Sequence, residues 1–92
     1  EPKVVGDTEP TSTVKPDYVE GKVAFVIDAE DDELIKTVEL THNGGTKETI
    51  NVNDTKYHND LVMTEGETNT LIVTVTNKNG LQKTLRVKFD NK

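Results

Sequence analysis

The chain reads as an all-β sandwich of about seven antiparallel strands with Greek-key connections, and three observations predict it. Apolar and polar residues alternate at period two in one short segment after another. Turn residues separate those segments at intervals of about 8–12 residues. No stretch places apolar residues at helical spacing, while Val and Thr, which suit a half-buried pleated surface, fill the alternating segments.

The elements follow in order. Residues 1–16 contain all three prolines (Pro2, Pro10, Pro16) among Thr, Ser, Glu and Asp. So polar a segment cannot order itself by burial, and proline keeps it extended. Residues 1–16 are therefore expected to be a linker of the kind that joins tandem modules, and residues 17–92 the sandwich. Val14 or Tyr18-Val19 remain available as a short edge strand, where proline is tolerated. The opening Glu1-Pro2 is what a processed form or an excised piece of a larger protein would show. From Lys22 the alternation sets in: Val23, Phe25 and Ile27 face one way, Ala24 and Val26 the other. An acidic loop is expected at Asp28–Glu33. Val38 and Leu40 continue the inward set, and Asn43-Gly44 marks a hairpin because that pair accepts the positive φ of a tight primed turn. Ile50 and Val52 follow, then a break at Asn53–Lys56 and a further segment at Tyr57–Met63. Leu71, Val73 and Val75, a turn at Asn79-Gly80, and Leu85, Val87 and Phe89 complete the core. Ile72 points outward with Thr74 and Thr76.

Composition narrows the function classes. Ninety-two residues make one small domain that buries roughly 60–65% of its unfolded surface. The net charge of −6 and the scattered Lys and Arg argue against a nucleic-acid partner. With no cysteine there is no disulfide, thiolate metal site or cysteine nucleophile, which suits either a cytosolic protein or a bacterial surface protein. No apolar run reaches membrane-spanning length.

The segment Glu65–Phe89, "EGETNTLIVTVTNKNGLQKTLRVKF", with Leu61 before it, resembles the closing strands of bacterial immunoglobulin-like and fibronectin-type-III-like repeats. The resemblance rests on Leu61, Glu65, Gly66, Asn69, Leu71, Val73, Val75, Thr76, Asn77 and Gly80; the three residues between Leu61 and Glu65 depart from the usual spacing. It implies an immunoglobulin-like sandwich serving as a non-catalytic spacer or accessory module of a multi-domain secreted or wall-attached bacterial protein. Its partners would be neighbouring domains of the same chain, and the module is expected to be monomeric. Some such repeats bind a host protein or glycan through loops or an exposed sheet face.

Candidate chemistry is sparse. Asp28, Glu30, Asp31, Asp32 and Glu33 put five carboxylates into six residues, and calcium seeks several oxygen ligands at once. Asp54 and Asp60, or Asp7 and Asp17 if the linker folds back, would be the additional ligands. The spacing matches no defined calcium loop, so solvated charge that discourages edge association is the competing reading. His42 and His58 are expected as exposed turn and strand residues. Ser12, the sole serine, has no nucleophile-elbow glycines around it, so no enzyme is expected. Sugar recognition would rest on Tyr18 or Tyr57 in the absence of Trp. An internal Lys–Asn crosslink would need Lys22 or Lys36 to face inward, and both fall out of phase with the apolar set. Asn53-Asp54-Thr55 is an N-glycosylation sequon.

Overall fold

The computed structural model describes residues 10–19 and 22–91. Every regular element among them is a β-strand: β1 (Thr11–Val19), β2 (Lys22–His42), β3 (Glu48–Val62), β4 (Glu67–Asn77) and β5 (Gln82–Asn91). All pairings are antiparallel. The count is five rather than about seven because β2 and β3 each run straight through a break read from the sequence. The acidic segment is not a loop but part of β2. Glu30 pairs with Lys56 and Ile35 with Asp54, so residues 31–34 bulge out against Thr55 alone. In β3 the matching irregularity is at Asn53, whose φ of 52° lies in the left-handed region that asparagine tolerates.

These irregularities fold the sheet over. The Phe25 and His42 rings stand 5.6 Å apart, edge to face, although both belong to β2. Seventeen residues of straight strand would separate them by about 56 Å. β2 therefore doubles back at residues 31–34, and β3 follows it along one edge. On the other edge β1 pairs with residues 22–30 and β4 with residues 35–42. One half of the curled sheet is β1 with the first part of β2 and the last part of β3; the facing half holds the remainder with β4 and β5. β1 and β5 come into contact where the curl closes.

The core lies between the halves. Phe25, Ile27, Ala29, Ile35, Val38, Leu40, Met63, Leu71, Val73 and Val75 are buried, with Val23, Ile50, Val52, Val87 and Phe89 half-buried against them. Each fully buried large side chain stabilises by about 1.5–3 kcal/mol. Leu85, expected in this set, is half-buried and outside the cluster, whereas Val87 and Phe89 of the same strand pack against it. Ile35 is in phase with Val23, Phe25 and Ile27 but not with Val38 and Leu40, because a register shift between Ile35 and Thr37 resets the alternation.

The linker boundary also moves. Thr11–Pro16 belong to β1, with Pro16 opposite Phe25 and Pro10 fully buried before it. β1 pairs on one side only, so the missing N–H of Pro16 is tolerated. Residues 1–9, Asp7 among them, lie outside the described residues.

Candidate functional site

Two polar clusters sit at the two ends of β4, where the sheet halves meet. At the first, the side chain of the fully buried Asn69 bonds to four residues. Its Oδ1 accepts from the Thr64 N–H (2.8 Å), His42 Nε2 (2.8 Å) and Asn43 Nδ2 (3.1 Å). Its Nδ2 donates to the carbonyls of Thr64 (2.9 Å) and Glu67 (3.3 Å). Asn43, held at a φ of 53° in the hairpin turn, accepts from the Thr70 N–H through Oδ1 and donates its own N–H to the Thr70 carbonyl. Gly66, at a φ of 80°, donates to the carbonyl of Asn91, whose Nδ2 reaches back to the carbonyls of Met63 and Thr64. His42, expected exposed, is half-buried as a donor to Asn69 and an edge for Phe25.

At the other end, Asn77 is fully buried. Its Oδ1 accepts from the N–H groups of Asn79 (3.0 Å) and Leu81 (2.9 Å), and its Nδ2 donates to Asp31 Oδ1 at 3.3 Å. The carbonyl of Asn77 accepts from Gly80, at a φ of 88°, closing a three-residue hairpin loop. Asp31, the one buried carboxylate of the acidic segment, also accepts from the Glu33 N–H at 2.9 Å.

The carboxylates expected to gather calcium are thus distributed among different partners. Asp31 turns inward to Asn77. Glu33 pairs with Lys78 at 3.0 Å and accepts from Asn79 at 3.4 Å. Asp28 Oδ1 meets His58 Nδ1 at 2.7 Å on the outer face, and Asp60 Oδ1 lies 3.3 Å from His58 Nε2. Glu30 and Asp32 are exposed. Asp54 accepts the N–H of its own neighbour Thr55. Among the described residues no group of three or more His, Cys, Asp or Glu side chains is placed to hold a metal ion. These oxygen donors are aimed at separate partners rather than at one point, whereas calcium takes a six- to eight-fold oxygen shell.

His58 is exposed, and its two carboxylate neighbours favour the imidazolium. The hydrogen bond with Asp28 is the main cause that raises its pKa above 6.5, followed by the charges of Asp28 and Asp60. Tyr57 is half-buried against the core, and burial with the charge of Glu48 raises its hydroxyl pKa. An open cleft of about 540 Å³ spans β1, β2 and β3 over Thr11–Thr13, Asp28–Glu30 and Lys56–His58. Ser12 lies opposite Ala29, one position off the Thr13–Asp28–His58 rung, so alternation sends its side chain to the other face. The Ser12 Oγ is buried with no hydrogen-bond partner among the described residues. Lys36 is exposed, away from any crosslinking position in the core.

The clasp residues Asn69, Asn77, Gly66 and Gly80 carry the repeat-like motif, yet motif letters alone hid what they do. The signal was their placement: an amide side chain near each end of β4, three residues from a glycine at positive φ. No protein-family description, curated protein or solved structure matches the chain.

Proposed function

We propose that this chain is a non-catalytic, immunoglobulin-like module of a multi-domain extracellular bacterial protein, acting as a spacer that transmits tension between neighbouring domains. The observation that carries this reading is where the outermost strands begin and end. β1 starts at the acidic end, with Thr11 opposite Glu30, while β5 finishes at the Asn69 end, with Asn91 opposite Glu67. A pull applied there runs along both terminal strands. It loads all nine rungs of the β1–β2 ladder and all ten of the β4–β5 ladder together. The buried polar groups support the same reading, since they tie segments together and leave no convergent set for chemistry. The absence of cysteine and the net charge of −6 suit a bacterial surface setting.

Force spectroscopy tests it directly, because the cysteine-free chain accepts handles at chosen positions. Handles at Thr11 and Asn91 load the ladders in shear. Handles at Glu67 and Asn91, which are directly paired, open the β4–β5 ladder one rung at a time. A clearly higher unfolding force for the first geometry, at one loading rate, supports the spacer; equal or lower force contradicts it.

A second reading, adhesion to a host protein or glycan, draws on Ile72, which is 37% exposed beside Thr74 and Thr76. Among the described residues the other exposed large apolar side chains, Leu34 and Val62, lie on different strands or sheet halves, and binding surfaces usually gather such residues into one patch. The spacer is therefore preferred.

A further inference from the structure

The curl of the sheet leaves its edges unequal. β1 and β5 approach one another, whereas β3 pairs only with β2 and has no strand on its outer edge among the described residues. A long open edge is a template for pairing, and proteins that need to stay apart guard it with charged side chains, proline, bulges or inward-pointing charges. β3 carries one such device, a bulge, away from its last part. Its bulge at Asn53 turns the two halves of the strand apart, leaving Thr55–Val62 as the regular edge. No charged residue in that run points into the core; Tyr57, Asn59 and Leu61 are its half-buried set. The outward set carries charges of opposite sign placed symmetrically: Lys56 and Asp60 flank His58.

We infer that Thr55–Val62 is a homodimerisation edge, at which a second copy of this chain pairs antiparallel about a two-fold axis through His58. In that register Lys56 stands opposite Asp60 of the second copy, the symmetry repeats the pair, and the two His58 rings meet on the axis, each held by Asp28 and Asp60 of its own chain. Cross-strand neighbours lie about 4.5–5.5 Å apart at Cβ, within ion-pairing reach. Tyr57 stands opposite Asn59 of the second copy, on the core side. The three-strand half of each copy becomes part of one six-stranded sheet. An isologous contact of this kind closes on itself and does not propagate into fibres. The charge symmetry singles out a second copy over an unrelated peptide, and the inference is independent of the spacer reading; it replaces the monomer expected from sequence.

The test uses the whole chain. Sedimentation equilibrium from about 10 µM to about 1 mM is expected to show a monomer–dimer equilibrium, as suits a small interface. Lys56→Asp should weaken the dimer about tenfold by setting like charges opposite one another twice, and adding Asp60→Lys should restore it. Because the chain has no cysteine, His58→Cys introduces one thiol per copy. Paired Cα atoms at about 4.5–5.5 Å on a two-fold meet disulfide geometry. Oxidation should therefore crosslink His58→Cys at least about tenfold faster than Thr84→Cys on the opposite half of the sheet. A monomer throughout the concentration range, a dimer indifferent to the charge exchange, or equal crosslinking of the two cysteine variants would each overturn the inference.

Discussion

An asparagine holds each end of β4, but the two ends differ in their electrostatics. Around Asn69 no partner is a carboxylate: they are the His42 ring, Asn43, and the main chain of Thr64 and Glu67. Around Asn77 the amide is set against a buried carboxylate, Asp31, with Glu33 and Lys78 pairing just outside. The first end is also backed by aromatic packing, Phe25 lying between His42 and Phe89. The difference teaches where each device is suited. Where strands from both sheet halves converge, a neutral amide satisfies donors and acceptors without burying charge. Where the chain bulges, a buried carboxylate accepts from Asn77 and from the Glu33 N–H, while Glu33 and Lys78 pair outside it.

The predictions break or sharpen that contrast, beginning with the largest. Phe25→Ala should cost about 3–5 kcal/mol in denaturant unfolding, since it removes a fully buried ring that joins the two ends of β2. Asn69→Ala should cost about 3 kcal/mol, because it strands the donors of Thr64, His42 and Asn43 together. At the acidic end Asn77→Ala should cost less, about 2 kcal/mol, with the loop N–H groups of Asn79 and Leu81 partly rescued by water. A double-mutant cycle with Asp31→Ala measures how much of that cost is the Asn77–Asp31 contact.

His58 supplies a smaller, pH-dependent effect. Its pKa is raised in the folded state, so the protonated ring stabilises the fold fully below about 6.5, and that contribution fades as pH rises through the folded-state value. His58→Gln should lower Tm near pH 5.5 and leave it almost unchanged near pH 8.5, these being about one to two units either side of the unfolded value. The smallest effect expected is that of calcium. A native-state ligand raises stability by RT ln(1 + [L]/Kd), so thermal unfolding with millimolar calcium against EDTA and magnesium reads binding directly. With Asp28, Asp31 and Glu33 turned to different partners, calcium and magnesium should give the same Tm.

Much of the fold was legible because alternation records burial. Leu71, Val73 and Val75 were assigned inward and are fully buried; Ile72 was assigned outward and is exposed. The Asn43-Gly44 turn followed from backbone sterics, and both residues have positive φ. The doubling back of β2 was not legible. A run of five carboxylates in six residues looks like a solvated loop, and nothing local shows that Ile35 returns to the same strand. The roles of His42, Asn69 and Asn77 were hidden for a related reason: the bonds of Asn69 to His42 and Asn43, and of Asn77 to Asp31, join residues distant in sequence, which periodicity does not encode. Asp31 differs from Asp32 only in which way the bulge turns it.

Hydrogen exchange at Thr64 tests most directly whether buried amides clasp the fold. Thr64 lies outside every strand, and its N–H is held by the Asn69 side chain. In the wild-type chain at neutral pH this amide should exchange with an opening free energy close to that of global unfolding, as strand amides of β4 do, and Asn69→Ala should bring it to a loop-like rate. Fast exchange of the Thr64 amide in the wild-type chain, beside slow exchange in β4, would show that Asn69 does not hold that end of the sheet.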